Sequence, residues 1–388
     1  MRILYRYSYV NLVFACAKIA ISGRPSKNLL EKKRHMLKPH VWLRAEQRPH
    51  EARVGLSYEG AKALIDAGFH LTVEESSSRA IALDGYAAAG AEIAPENSWP
   101  EAPQDAIIFG LKELPDDGSP LQHRHIMFGH AYKGQFTGKR LLQRFKAGGG
   151  KLLDLEYLVD ETGRRLAAFG YWAGYAGAAI TLKAWSAQQQ GQICGPVDSY
   201  ADKDALLADL NQRLAATGSA LPSALVIGAL GRVGSGASDL CEELGVQVTK
   251  WDMAETAHGG PFPEILEHDL FFNCILAQEG VPQFVPTSAL TAPRALRAIG
   301  DIACDPDSTY NPVPVHDRAT DWDAPVRRVH EAPVLDVMAI DNLPSLLPVE
   351  SSIDFAQQLL PALLQLSDPK APVWTRALDL YEQHSGAL

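Results

Sequence analysis

The feature that most constrains the fold of this chain is an alternation of short apolar runs with longer amphipathic segments, which continues from residue 40 almost to the C-terminus. The apolar runs predict buried strands over 40–45, 69–74, 106–112, 125–130 and 151–155, and later over 224–227, 246–252, 270–275, 297–302 and 334–337. The amphipathic segments predict helices over 58–67, 171–191, 203–216, 353–366 and 373–384. Strands that alternate with helices form parallel sheets covered by helices on both faces. The pattern therefore predicts an α/β protein of two similar halves, each built on a parallel sheet, with a cleft between them.

The acidic composition excludes some classes of function. The chain of 388 residues carries a formal net charge of −10, which argues against binding nucleic acid by bulk electrostatic attraction. It contains no run of about 20 apolar residues, so we expect no membrane-spanning segment. The five cysteines form no CxxC pair and none has metal-ligand spacing with a histidine, which indicates reduced thiols, no metal site and a cytoplasmic location.

Residues 1–35 differ from the rest of the chain because they contain eight basic residues and a single acid. The segment that begins at Met36 already leads into the first predicted strand. We therefore expect residues 1–35 to be an N-terminal extension that is disordered or dispensable for catalysis. A targeting sequence of secretory or mitochondrial type and an ordered functional arm are the two alternatives.

A glycine-rich loop follows the predicted strand at 224–227 and precedes a helix that ends near Leu244. Its glycines are spaced GxxGxxGxG from Gly228 to Gly236, and they let the backbone approach a pyrophosphate at the helix N-terminus. This spacing differs from the common GxGxxG, so an ordinary strand–turn–helix with packing glycines remains the alternative. Asp252 ends the next predicted strand, where an acid hydrogen-bonds the adenosine ribose and repels a 2′-phosphate. Together these features predict a Rossmann-like domain that binds NAD rather than NADP.

The order of these patterns divides the chain into parts. We expect residues 36–170 to form a substrate-binding and catalytic domain and residues 171–347 to form the NAD-binding Rossmann domain. The helices predicted within residues 348–388 would fold back and complete the first domain. The two halves are thus predicted as two Rossmann-like domains, and the sequence does not determine the oligomeric state, with which a monomer is compatible.

Basic side chains follow several predicted strands of the first domain. They are Arg44, Arg48, Arg53, Lys112, His130 and Lys133, and Arg164 and Arg165 stand before the next segment. The carboxyl ends of parallel strands meet at one crevice, so an acidic chain that gathers cations there is suited to an anionic substrate. Glu113 and Glu156 lie in the same region and would tune the acidity of neighbouring lysine and histidine side chains. Taken singly, each of these residues is equally well explained as a solvent-exposed charge or as a structural group.

Several blocks of this sequence resemble one known family. They include IIFGLKELP at 107–115, FGHAYKGQ at 128–135, GRRLAAFGYWAGYAGAA at 163–179, IGALGRVGSGA at 227–237 and IDNLPSLLP at 340–348. In this order they resemble the NAD-dependent, lysine-forming saccharopine dehydrogenases, which belong to the alanine dehydrogenase and transhydrogenase fold group. The resemblance extends from about residue 39 to the C-terminus and does not include residues 1–35.

The resemblance implies a reversible oxidative deamination of saccharopine to L-lysine and 2-oxoglutarate, through hydride transfer to NAD, imine hydration and collapse of the carbinolamine. It assigns Lys112 as the base toward the substrate amine and His130 as the acid–base group in imine hydration. The positions that match the substrate pocket are Arg53, Glu113, Lys133, Gln135, Glu156, Arg165 and Phe169. The positions that match the cofactor site are Gly228, Gly231, Arg232, Gly234, Asp252, Thr256, Leu276, Ile340, Asp341, Asn342 and Leu343.

Two other functions remain open at this point. A related opine or amino-acid dehydrogenase, for example of the alanine type, would share the fold. A non-catalytic dinucleotide-binding protein fits less well, because such a protein needs no acid–base pair.

The chain also departs from the family. Fungal members can carry a cysteine in the glycine loop that is able to pair with the one retained here as Cys274, but this chain has Val233 at the loop position. The resemblance therefore implies that no disulfide forms near the cofactor in this chain.

Overall fold

A computed structural model describes residues 38–133, 136–276 and 278–386 of the chain. The predicted extension at residues 1–35 lies outside the described residues, and so does Gln135. The residues from Pro39 onward form one compact unit. Within the described ranges, no helix is long and apolar enough to cross a membrane.

The first six strands form one parallel sheet. They are β1 (His40–Leu43), β2 (His70–Glu74), β3 (Glu92–Ala94), β4 (Ile107–Phe109), β5 (Arg124–Met127) and β6 (Lys151–Asp154). Their order across the sheet is β3-β2-β1-β4-β5-β6, and every neighbouring pair is parallel. Leu43 pairs with Phe109, Phe109 with Ile126, and Met127 with Asp154. The strands of this sheet therefore end along one edge, and the segments that follow them are brought together there.

The second sheet contains the remaining strands. They are β7 (Ser223–Ile227), β8 (Gln247–Trp251), β9 (Leu270–Asn273), β10 (Ala298–Asp301), β11 (Arg327–Glu331) and β12 (Val334–Met338), in the order β11-β12-β10-β9-β7-β8. The sheet is parallel except at one edge, where β11 runs antiparallel to β12. The connection between β11 and β12 is short, and a short connection permits only an antiparallel hairpin.

Helices cover the two sheets and connect them. They are α1 (Tyr58–Asp66), α2 (Leu83–Ala89), α3 (Phe136–Gly148), α4 (Gly170–Gln189), α5 (Lys203–Ala216), α6 (Arg232–Glu243), α7 (Met253–Thr256), α8 (Glu264–Glu267), α9 (Pro348–Leu363) and α10 (Pro372–Gly386). The sequence of α5 shows why such segments are helical. Leu206, Leu210 and Leu214 recur every four residues and are buried, and the side chain of Asp202 caps the helix by accepting the N–H of Ala205 at 2.8 Å.

The C-terminal helices pack against the first sheet rather than the second. Phe355 and Leu359 of α9 and Trp374 of α10 belong to the same buried cluster as Val41 and Leu43 of β1. The chain thus passes to the second sheet before β7 and returns to the first sheet in α9. The limits proposed from the sequence, residues 36–170 with 348–388 and residues 171–347, remain a prediction.

Candidate active site

Four predicted site residues follow four strands of the first sheet. Arg53 follows β1, Lys112 follows β4, His130 follows β5 and Glu156 follows β6. The strand order reverses between β1 and β4, since β1 has β2 on its other side. Open α/β sheets bind ligands beyond the carboxyl ends of the strands at such a reversal. The topology therefore places these four residues along the edge where a substrate site is expected.

Glu156 lies at the centre of three basic side chains. Its carboxylate oxygens are 3.4 Å from Nδ1 of His130, 2.9 Å from Nζ of Lys133 and 3.8 Å from Nη2 of Arg165. The contact with His130, with support from Lys133 and Arg165, lowers the pKa of Glu156 to about 2. The Glu156 side chain is 14% exposed, whereas the three basic side chains are each about half exposed. An ionised carboxylate thus holds three basic groups together at the surface of the cleft, where an anionic substrate can reach them.

The backbone at His130 is strained. Its φ is +48°, a left-handed conformation that side-chain-bearing residues rarely adopt. Such a conformation persists only where the surrounding structure holds it, and it is concentrated at functional sites.

Arg53 joins the two halves of the chain. Its guanidinium is buried and donates two hydrogen bonds to Glu51, from Nε at 2.7 Å and from Nη2 at 2.6 Å. Nη2 also donates to Oδ1 of Asn342 at 2.7 Å. The guanidinium carbon lies 4.4 Å from the centre of the Phe169 ring. One predicted substrate residue therefore contacts both the predicted pocket wall and the predicted cofactor segment.

The surroundings of Lys112 lower its pKa. Burial lowers the pKa of Lys112, and the guanidinium of Arg53 lowers it further, while the carboxylate of Glu51 opposes both effects. The carboxylate of Glu46 fixes the backbone by accepting the N–H groups of Leu111 at 2.6 Å and of Lys112 at 2.9 Å. A lysine with a lowered pKa loses its proton more readily, which suits the role of a general base.

Arg44 does not face the cleft, which corrects the expectation that it belongs to the group of substrate-facing cations. The residue is 1% exposed, and its guanidinium donates to the backbone carbonyls of Ala45 and Lys112. It also lies 3.4 Å from Glu46. The side chain is buried beneath the sheet edge, so Arg44 supports the backbone that carries Lys112.

Arg48 makes a second contact between the halves. Its guanidinium lies 3.6 Å from Glu113 and 3.9 Å from Asp341. All three side chains are at least one-third exposed, so solvent weakens these ion pairs. Arg48 thus contacts two predicted site residues. They are Glu113 of the substrate pocket and Asp341 of the cofactor site.

The glycine loop forms a tight cradle at the start of α6. Gly228 has a φ of +86°, and Gly231 is the N-cap residue of α6. A Cβ atom at Gly234 would lie 2.1 Å from the carbonyl oxygen of Gly228, so no larger residue fits there. The free N–H groups of the first turn of a helix bind phosphate. These residues therefore fit the pyrophosphate of a dinucleotide.

Asp252 lies beside this cradle. It follows β8, and its carboxylate accepts the N–H groups of Leu230 at 3.1 Å and Met253 at 2.9 Å. Thr256 donates its hydroxyl to the carbonyl oxygen of Asp252 at 2.9 Å and so braces the same turn. A carboxylate in this place can bind ribose hydroxyls and repels a 2′-phosphate.

The other predicted cofactor residues have different surroundings. Ile340 and Leu343 are buried against the second sheet, whereas Leu276 is 71% exposed. Arg232 donates to the backbone carbonyl of Arg165 at 3.2 Å, which links the start of α6 to the first half. No group of three or more His, Cys, Asp or Glu side chains that could hold a metal ion occurs in the described part of the chain.

Three acidic residues of this region were not predicted from the sequence. They are Glu46, Glu51 and Asp154, all at or just beyond the ends of strands in the first sheet. Glu51 could have been found, because residues two apart in an extended segment lie on the same side and Glu51 stands two before Arg53. Glu46 and Asp154 carry no such signal.

Comparisons with known proteins show which family this chain resembles. A family model described as "Alanine dehydrogenase/PNT, N-terminal domain" matches residues 42–176. The chain is 45% identical over 366 residues to the saccharopine dehydrogenase [NAD(+), L-lysine-forming] of Emericella nidulans, a match that covers 90% of this chain and 98% of that protein. It is 44% identical over 362 residues to the enzyme of the same name from Schizosaccharomyces pombe, with 89% of this chain and 98% of that protein covered.

A solved structure of an L-alanine dehydrogenase shares the fold. Its TM-score is 0.63 at 16% identity, and the match covers 90% of this chain and 99% of that one. The two-sheet α/β fold and the family resemblance predicted from the sequence are both confirmed. The chain belongs to the family of NAD-dependent, L-lysine-forming saccharopine dehydrogenases.

Proposed function

We propose that this chain catalyses the reversible, NAD-dependent oxidative deamination of saccharopine to L-lysine and 2-oxoglutarate. The observation that carries the proposal is the 45% identity over 90% of the chain to a relative named for this activity. We place the reaction in the cytoplasm, as the composition suggests. The cations at the strand ends support the proposal, because saccharopine carries three carboxylates and a small substrate such as alanine needs fewer counter-charges.

Two groups of residues are suited to bind the substrate carboxylates. The hydrogen bonds of the described residues use Nε and Nη2 of Arg53, and we assign its Nη1 to one carboxylate. Lys133 and Arg165, held by Glu156, are assigned to another. The ring of Phe169 lies against Arg53 and offers an apolar wall for the methylene groups of the substrate.

Proton transfer is assigned to Lys112 and His130. When bound, NAD supplies the acceptor for the hydride that leaves the carbon next to the secondary amine of saccharopine. Lys112 takes the proton of that amine, a role that suits it because burial and Arg53 lower its pKa. His130 exchanges protons with the water that adds to the imine and with the amine that leaves on collapse. The carboxylate of Glu156, 3.4 Å from the imidazole, stabilises the charge that His130 acquires.

An assay in both directions tests this proposal. NADH formation is measured with saccharopine, and NADH oxidation is measured with L-lysine plus 2-oxoglutarate. We expect turnover in both directions and little turnover with alanine. Turnover with alanine or another opine but none with saccharopine would replace the proposal by the related dehydrogenase. NAD binding without turnover of any of these substrates would indicate a non-catalytic protein.

A further inference from the structure

The carboxyl group of Asp154 lies behind the two segments that carry His130 and Glu156, and no step of the proposed reaction uses it. Asp154 is the last residue of β6 and pairs with Met127 at the end of β5. It is 1% exposed. An acidic side chain is rarely buried so completely without a partner or a function.

The carboxylate of Asp154 faces the backbone of both segments. Oδ1 accepts the N–H of Glu156 at 3.0 Å and so caps the short 3-10 helix Leu155–Tyr157. The N–H of Gly129, the residue before His130, faces the same carboxylate and favours its ionised form. The other oxygen, Oδ2, is buried without a hydrogen-bond partner among the described residues. One buried carboxylate thus connects the turn that presents Glu156 to the loop that presents His130.

The strained His130 loop fits closely between Asp154 and helix α3. A Cβ atom at Gly129 would lie 2.6 Å from the Leu152 side chain and 3.2 Å from Oδ2 of Asp154. On the other side, a Cβ atom at Gly138 of α3 would lie 2.9 Å from the carbonyl oxygen of His130. The φ of +48° at His130 is therefore maintained by close packing from two directions.

We propose that Asp154 is a positioning residue that fixes the His130 loop against the Glu156 turn and holds a negative charge behind the imidazole. This role rests on the proposed function of His130 in proton transfer. Asp154 does not touch the substrate in this proposal. It acts through the orientation and the charge of His130.

The charged groups around Asp154 determine when its charge is present. Burial raises the pKa of Asp154 to about 6, and the N–H groups of Glu156 and Gly129 oppose this effect. Glu156 and His130 are its acidic and basic neighbours, and the hydroxyl groups of Tyr132 and Tyr157 are the other titratable groups near it. With a pKa of about 6, the carboxyl group of Asp154 is mostly ionised at neutral pH and takes up a proton near pH 6.

The test uses Asp154→Asn and Asp154→Ser in the full-length chain. Asparagine keeps the shape of the aspartate side chain without its charge. Serine keeps an oxygen that can accept the backbone N–H group at the start of a helix. The pH dependence of kcat is measured, and the imidazole of His130 is titrated by NMR in the free enzyme, with its signal assigned through His130→Gln. Asp160→Asn is the matched control, because Asp160 also accepts neighbouring N–H groups but lies on an exposed loop.

Loss of the Asp154 charge should lower kcat by about 10-fold and move the His130 titration and the acidic limb of the profile to lower pH. The control should change neither. A folded variant whose His130 titration coincides with that of the unsubstituted protein would overturn the proposal, and so would a lower melting temperature as the sole effect. Failure of both variants to fold would show a structural role alone and would also overturn it. Because the titration is read without substrate, it decides this question even if saccharopine is not turned over.

Discussion

Replacing Glu156 with Gln removes one negative charge from the centre of three basic side chains while the side chain keeps its size. The contact with His130, together with Lys133 and Arg165, lowers the pKa of Glu156 from 4.5 to about 2. This difference of about 2.5 pH units corresponds to ~3 kcal/mol at ~1.4 kcal/mol per unit. Solvent reaches part of this cluster, so we reduce the figure to ~1–2 kcal/mol. The largest share of this interaction belongs to His130, and a pairwise interaction acts equally on both partners.

We therefore expect Glu156→Gln to move the acidic limb of the kcat/KM profile to lower pH by about 0.5–1 unit. The free energy of unfolding should also depend less on pH in the acidic range. The pKa of Glu156 is lower in the folded protein than in the unfolded chain, so its contribution is present above about pH 4.5 and is lost as pH falls toward about 2. The variant lacks this contribution, and its free energy of unfolding should fall less steeply across that range.

Initial rates of NADH formation at a series of pH values measure the first effect, and urea unfolding at acidic pH measures the second. Glu161→Gln is the control, because it makes the same chemical change on an exposed neighbouring residue. An acidic limb that stays in place in Glu156→Gln, or one that moves equally in both variants, would refute the assigned coupling between Glu156 and His130.

Three further predictions concern catalysis, the cofactor and the core. Lys112→Met and His130→Gln should each lower kcat by about 10²–10⁴-fold in both directions, whereas Lys146→Met on the exposed face of α3 should leave initial rates unchanged. The unsubstituted protein should have a higher kcat/KM with NAD than with NADP, and Asp252→Ser should lower the ratio of these two values. A higher kcat/KM with NADP in the unsubstituted protein would contradict the role of Asp252. Phe355→Ala should lower the free energy of unfolding by about 3–5 kcal/mol in a urea titration, because it removes a fully buried ring from the first core, and a loss below about 1 kcal/mol would be incompatible with that burial.

The strands that were predicted best are those buried on both faces. The run at 224–227 is fully buried in β7, so its apolar pattern is continuous. By contrast, β11 (Arg327–Glu331) is a polar edge strand with one partner, and nothing in its composition predicts a strand. Helix α2 (Leu83–Ala89) buries only Tyr86, so it lacks the apolar stripe that identifies a helix.

Some residues of the site could be placed from the predicted order of strands and helices, and others could not. Residues that follow parallel strands must meet at one edge, which is why Lys112 and His130 could be placed in one region from the sequence. Whether a cation at a strand end faces the cleft depends on local packing, and Arg44 is buried for that reason. The hydrogen bond between Arg53 and Asn342 joins residues separated by 289 positions, and no spacing rule predicts such a contact.

The return of the chain from the second sheet to the first has a consequence for biosynthesis. Phe355, Leu359 and Trp374 fill the same cluster as Val41 and Leu43, so the first core cannot be completed until the last helices have left the ribosome. The strands of the second sheet are contiguous in sequence and can assemble earlier. During translation the apolar face of the first sheet is thus exposed for longest, and this is the surface on which a chaperone would act. In the finished protein, no single proteolytic cut yields both halves with complete cores.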